Sequence, residues 1–420
     1  MLRLLLAAFC AAALATAPVH AASKKKRSVK AAKTGTALVA AGAANGYDAE
    51  ARLIQVYQTI GQSRTREALL LADKLVADFP HFALAQLVHG DLLMAQSRPL
   101  KMLGDVPEAT LRAAPGVLGE LREESLLRMK ALRETPPADM LPEQFARLSA
   151  RNKHAIAIDA SRARLYLFEN TSSGLRMIAN YYMSVGKQGI EKTIEGDLRT
   201  PLGVYFITNT LDRKNLKDFY GAGALPINYP NPYDTRRGKT GSGIWLHGTP
   251  PAQFARPPKA TDGCVVLANP DLERILATVE MRTTPVVIAP SLKWVKNHQN
   301  NADLASFDAV WQQWQQAYTQ GDIPRTMAFY TPDFNSYGKT LADWQGLQSA
   351  EASKAKGRAP QIKDQSALHW VESANSATMV VTFSQSTAGS KTSVTKRQYW
   401  LRSAGLTQNQ WKMFFEGVIG

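Results

Sequence analysis

The sequence predicts a multidomain α+β protein, with a helical N-terminal region, a central mainly-β domain and a C-terminal α+β domain. Length, periodicity and their order along the chain predict it. At roughly 100–200 residues per domain, 420 residues imply several domains. Apolar residues recur at helical spacing from about Asp48 to Leu148, and near Arg151 the period drops from 3.6 to 2. A second helix-then-strands pattern follows Ser291. With 45% hydrophobic and 20% charged residues, 28 Gly and 22 Pro, the composition excludes collagen-like, wholly disordered and multispan membrane classes.

Residues 1–21 read as a secretory signal: a short positive start, an apolar stretch from Leu4 to Ala17, and the small-x-small pattern Val19-His20-Ala21. No later run approaches the ~20 apolar residues of a transmembrane helix, so the mature chain is expected to be exported without a membrane span. Cys10 lies inside the signal, which leaves Cys264 as the one thiol in a disulfide-forming compartment. Residues 22–46 form a basic flexible linker, with Lys24, Lys25, Lys26, Arg27, Lys30 and Lys33 inside ten residues. These carry six of the fifteen net positive charges, so the folded part is only mildly basic and nucleic acid is not an expected partner.

Residues 47–150 read as a helical accessory domain, with Leu53, Val56, Ile60, Leu71 and Leu75 on apolar faces and Pro80 and Pro99 as breaks. Its first helices show the small/large alternation of a tetratricopeptide-like pair, without a second copy at a fixed period. An oligomerisation or envelope-protein surface is the expectation. In the central domain, 151–290, HAIAIDASRARLYLFEN and GLRMIANYYMSVG read as two strands and TPLGVYFITNTL as a third. GIWLHG and TTPVVIAP continue the sheet, and PDLERILATVE reads as a helix capped by Asn269. After a linker at 291–303, residues 304–420 open with a helix carrying Phe307, Val310, Trp311, Trp314 and Tyr318, an aromatic stripe read as core. The strands SATMVVTFSQ, TKRQYWLRS and QWKMFFEGVI follow. This order resembles the cone-shaped nuclear-transport-factor-like (SnoaL-like) fold, and no acid/base pair stands out in it.

The chemistry concentrates in GSGIWLHGTP (241–250) and ATDGCVVLAN (260–269). A thiol needs a neighbouring imidazole or positive potential to become a good nucleophile. His247 ends an apolar run 17 residues before Cys264 and is expected to supply it from an adjacent strand. Gly248 and Gly263 beside the two reactive residues would let backbone amides approach a substrate carbonyl. His81 and His89 read as packing or surface histidines. His154, His298 and His369 are isolated, and no phosphate-cradling glycine loop is present, so neither a metal nor a cofactor is expected.

RTPLGVYFI (199–207), GIWLHG (243–248) and the GC element (263–264) occur in the order and spacing of the YkuD-type L,D-transpeptidase catalytic domain, which the chain resembles over about Lys153 to Pro290. The resemblance implies a cysteine enzyme acting on peptidoglycan stem peptides. It makes Cys264 the nucleophile, His247 the base and later acid, and the Gly248 carbonyl the group that orients the imidazole. Thr261 matches the first position of the family's S-H-G-C stretch, while Asp262 replaces its His and Val266 the Arg of G-C-I-R. With a helical region in front and a nuclear-transport-factor-like domain behind, the pattern resembles the exported L,D-carboxypeptidases that control cell shape. That subgroup implies a periplasmic, cell-wall-associated enzyme in which water resolves a thioester, with transfer to an amine (3-3 crosslinking or protein attachment) as the alternative outcome and a non-catalytic envelope scaffold as the alternative of another class. Gly263, Asp262 and Thr261 are expected on the substrate side. Tyr229 and Asn231 are expected to line the cleft, with Arg236, Arg237 and Lys239 taking substrate carboxylates.

Overall fold

The structure, a computed structural model, describes residues 48–107, 112, 116–296, 302–355, 357–373, 376–387, 392–403 and 410–419. The signal and basic-linker readings of residues 1–46 lie outside them, as does the middle of the 291–303 linker. Four helices come first: α1 (Ala49–Gly61), α2 (Thr65–Asp78), α3 (Ala83–Met94) and α4 (Val117–Arg133). Asp48 starts α1 by accepting the Glu50 and Ala51 N–H groups at 3.1 Å. Leu53, Val56, Ala72, Leu75, Leu84 and Val88 make their shared core. The helical region ends at Arg133, not near Leu148 as the periodicity suggested. Strand β1 (Met140–Pro142) follows it and pairs antiparallel with β12 (Trp294–Lys296).

The central domain holds β2 (His154–Asp159), β3 (Arg164–Thr171), β4 (Gly174–Gly186), β5 (Gly203–Phe206), β6 (Leu211–Asp212), β7 (Gly223–Pro226), the short α5 (Pro232–Arg236), β8 (Trp245–His247), β9 (Lys259–Thr261), β10 (Val265–Leu267), α6 (Asn269–Leu276) and β11 (Pro285–Ala289). Among the described residues, nine strands run β5-β11-β2-β3-β4-β10-β8-β7-β6 and β9 adds to β4. The segment taken as one strand, HAIAIDASRARLYLFEN, is the hairpin β2–β3. Asp159 forces the turn by accepting the Arg162 N–H and the Ser161 hydroxyl, and Ala163 follows at φ 50°. One sheet face buries Ile156, Leu165, Met183, Leu246, Val265 and Ile288 with Leu272 and Ile275 of α6.

The C-terminal domain has α7 (Ala302–Gln320), α8 (Ile323–Met327), β13 (Asn335–Ser336), β14 (Lys339–Thr340), α9 (Leu341–Ala355) and the antiparallel sheet β15 (Pro360–Ser373), β16 (Ser376–Thr387), β17 (Ser393–Ser403), β18 (Lys412–Ile419) in that order. Ala377, Met379, Val381 and Phe383 of β16 bury the α7 stripe, where Phe307, Trp311 and Trp314 lie in the core as expected. Val380 points the other way, with Leu368, Trp370, Tyr399, Phe414 and Phe415, and packs on Ala157, Phe168, Val204, Phe206 and Val287 of the central sheet. Strand β15, unread in the sequence, is covered on both sides at Ala367-Leu368-His369-Trp370, so its polar/apolar alternation is erased there. The cone also holds an ion pair the sequence did not reveal: Lys396 Nζ meets Glu416 Oε1 at 3.0 Å, with both side chains buried, and Gln398 donates to the other carboxylate oxygen at 2.6 Å.

Candidate active site

Strand pairing brings Cys264 and His247 together. Strands β8 and β10 run parallel, with Val265 opposite Leu246 and Val266 opposite His247. Ile244, Leu246, Val265 and Leu267 point into the central core. By alternation Trp245 and His247 project from the other face of β8, and Cys264 stands directly before β10, two residues from the partner of His247.

The imidazole is held on one side. His247 Nδ1 lies 2.7 Å from the Gly248 carbonyl, an acceptor only, so Nδ1 carries the proton and Nε2 is left as the basic nitrogen. Tyr220 meets the ring edge-on at 5.1 Å and Phe219 lies tilted at 5.8 Å. His247 is 1% exposed. Burial pushes its pKa down to about 4, the Gly248 bond opposing and the positive charge of Arg256 assisting. Burial likewise raises the Cys264 thiol, against the Trp245 backbone N–H and Arg256. The resting pair is thus neutral thiol and neutral imidazole. The expected direct hydrogen bond between them is not made. Instead Sγ–H donates to the Gly243 carbonyl at 3.5 Å, in keeping with unliganded sites whose catalytic contacts tighten only around substrate.

Close packing requires glycine at both positions. A Cβ on Gly248 would overlap the Asn269 amide oxygen. That oxygen accepts the Ala222 N–H at 2.9 Å and the Thr249 N–H at 3.2 Å, while Asn269 Nδ2 donates to the Thr249 carbonyl at 2.9 Å. Asn269, expected to cap α6, is instead its first helical residue and clamps the turn that carries Gly248. Gly263 sits at φ +125°, and a Cβ there would come 2.7 Å from the Arg199 carbonyl. Its own carbonyl accepts the Thr200 hydroxyl at 2.9 Å.

Several residues expected at the substrate are committed elsewhere. Thr261 is buried; its hydroxyl donates to the Cys264 carbonyl at 2.7 Å and accepts the Gly263 N–H at 3.1 Å, so it shapes the nucleophile loop from behind. Asp262 is exposed on the rim and pairs with Lys187 at 2.9 Å. Tyr229 is buried with its hydroxyl on the Thr240 carbonyl, and Asn231 is a buried cap of α5 that also donates to the Val204 carbonyl. Arg236 pairs with Asp333 at 2.6 Å and Arg237 with Glu372 at 2.7 Å, both pinning the C-terminal domain. Lys239 is paired with Asp234 at 3.0 Å. Thr261, Tyr229, Asn231, Arg236, Arg237 and Lys239 thus each meet a carboxylate or carbonyl of the chain, and Asp262 an ammonium.

The cation beside the site is one the sequence reading passed over. Arg256 lies in the loop between β8 and β9, whose carbonyls at Arg256, Pro257 and Pro258 are held by the Tyr182 hydroxyl, the Ser184 hydroxyl and the Val185 N–H of β4. Its guanidinium rests over Phe219, 4.5 Å from the ring centroid. Its signal in the sequence was only its place eight residues before Cys264, between Ala255 and Pro257.

Residues 153–288 match the model of the YkuD family, the L,D-transpeptidase catalytic domain, and residues 306–417 match that of the Cds6 C-terminal NTF2-like domain. No curated protein matches the chain. Among solved structures, Bd1075 of Bdellovibrio bacteriovorus superposes with a TM-score of 0.54 at 24% identity, covering 67% of this chain and 98% of that one. The helical cell shape determining protein Pgp2 of Campylobacter jejuni gives 0.51 at 20% identity, covering 71% and 100%. At these identities the likenesses show a shared fold.

Proposed function

We propose that this chain, which carries a YkuD-type L,D-transpeptidase catalytic domain followed by an NTF2-like domain, is an exported, periplasmic L,D-carboxypeptidase that trims peptidoglycan tetrapeptide stems to tripeptides. The observation that carries the reading is Cys264 at the head of β10, beside the parallel strand that ends in His247, with His247 Nδ1 fixed on the Gly248 carbonyl at 2.7 Å. On this reading Nε2 takes the thiol proton as sulfur attacks the carbonyl at the L-centre of meso-diaminopimelate. The tetrahedral oxyanion collapses, the C–N bond breaks, and the imidazolium returns the proton to the departing amine of D-Ala. Water then attacks the thioester, giving its proton to Nε2, and the thiol is regenerated.

Hydrolysis over transfer rests on what the site lacks for holding an acceptor amine: Asp262 and Val266 stand where the family has His and Arg. Positioning an acceptor is worth several kcal/mol, and without it water wins by abundance. We assign cell shape as the process, by likeness to Pgp2. The helical and C-terminal domains are proposed as surfaces for envelope partners or a second copy, the first of them as a tetratricopeptide-like pair. Incubating full-length wild type and Cys264→Ala with tetrapeptide muropeptides tests this. Tripeptide products and free D-Ala from wild type alone are expected; abundant 3-3 crosslinked dimers would overturn the hydrolytic assignment.

A further inference from the structure

We propose that Arg256 is the specificity residue of this site, binding the free terminal carboxylate of the residue that leaves and so restricting cleavage to chain ends. The proposal rests on the cysteine-hydrolase reading above and deepens it.

Arg256 is 8% exposed, yet among the described residues its guanidinium has neither a carboxylate partner nor a hydrogen bond. Among the described residues the other well-buried cations are satisfied: Arg128 and Arg164 by Glu50, Lys192 by Asp197, Lys396 by Glu416, and Arg397, which has no carboxylate, by the Thr382 hydroxyl and the Arg282 carbonyl. A mostly buried, unpaired guanidinium is costly unless a ligand completes it. Its fork geometry suits a carboxylate in two-point contact.

Position identifies which carboxylate. The loop carrying Arg256 is fixed to β4 through three successive backbone carbonyls, so the cation is held in place. The contacts run Arg256, Phe219, His247, with 4.5 Å from guanidinium to ring and 5.8 Å from ring to imidazole. Arg256 therefore lies one aromatic ring away from the imidazole, on its Phe219 side. His247 protonates the leaving amine, so the departing residue must sit beside the imidazole too. Its carboxylate carbon is two bonds from that amine, which directs the charge toward the guanidinium. Phe219, 47% exposed despite lying against both groups, offers an apolar wall to a small side chain such as the methyl of D-Ala.

The test compares the stem tetrapeptide ending in a free carboxylate with the same peptide amidated at its C-terminus, using full-length wild type, Arg256→Gln and Arg256→Lys, with D-Ala or D-alaninamide release as the readout. Wild type is expected to favour the acid by about 10- to 100-fold in kcat/KM, the range for a charge-assisted contact. Arg256→Gln should bring the ratio near one, and Arg256→Lys should restore part of it. An Arg256 that acted only on the thiolate or on folding would slow both peptides alike and leave the ratio unmoved, which would overturn the proposal. Equal cleavage of both peptides by wild type would overturn it alone. Cleavage of neither, with no acyl mass on Cys264, would overturn the functional reading and this inference together.

Discussion

His247 is neutral at rest because it is buried beside a cation, and that has two measurable consequences. A nucleophile stored as a thiolate–imidazolium pair reacts at a constant rate from mildly acid pH upward, whereas a raised thiol does not. Iodoacetamide alkylation of Cys264 in the unliganded protein should therefore keep accelerating with pH beyond the ordinary thiol value of 9.0; a plateau near neutrality would contradict the neutral pair. The second consequence is for stability. The unfolded chain protonates this imidazole near 6.5, the folded chain only near 4. The contribution is full above 6.5 and is lost as pH falls toward 4, by about 3 kcal/mol in all. Urea titrations of wild type and His247→Asn at pH 7 and pH 4 should show that difference, wild type losing more on acidification.

Two local devices hold the site at the level of elements. The nucleophile loop between β9 and β10 is tied by the Thr261 hydroxyl, which bonds the Cys264 carbonyl and the Gly263 N–H. Thr261→Val keeps the shape and removes both bonds. It should cost about 1–3 kcal/mol and lower kcat with KM little changed, as stopped-assay kinetics beside chemical denaturation would reveal. The seat of the helical region on the central domain is ionic. Glu50 of α1 accepts Arg164 of β3 at two contacts, 2.7 and 2.8 Å, and Arg128 of α4 at 2.6 Å. Burial alone would raise the Glu50 carboxyl, but the two arginines outweigh it and hold it at about 2. Glu50→Gln would strand the buried Arg164 guanidinium and leave Arg128 with Glu124 alone, and a loss of about 3–5 kcal/mol is expected in urea unfolding at pH 7.

Across the whole molecule, the central sheet and the C-terminal sheet share one core, and Arg236–Asp333 and Arg237–Glu372 flank it. Domains that share a core unfold together. Calorimetry of the full chain should give one transition for these two domains, and Leu368→Asp, which places a charge between the sheets, should split it in two. Phe254 extends the same logic to the helices: it leaves the loop after β8 and packs at 4.4 Å on Phe82. The loop that carries Arg256 thus begins at one domain junction and ends at β9, the strand before the Cys264 loop.

By itself the sequence determined the order of the three folded regions and the aromatic core of α7, and singled out Cys264 and His247 as candidates, because periodicity and a thiol near a strand-ending histidine are local properties of the chain. It could not determine which polar side chains were free. Arg236 and Arg237 looked available because their partners lie in the C-terminal domain, Asn231 because its partner lies on β5, and Lys239 and Tyr229 because folding of their own loop turns them onto Asp234 and the Thr240 carbonyl, while Arg256 looked ordinary because its distinction is the want of such a partner. Strand β15 and the Lys396–Glu416 pair stayed hidden for a related reason: burial on both faces removes alternation, and an ion pair exists only once two distant strands have been laid side by side. Only the tertiary structure decided these, since satisfaction of charge and hydrogen bonds depends on neighbours that folding, not sequence proximity, supplies.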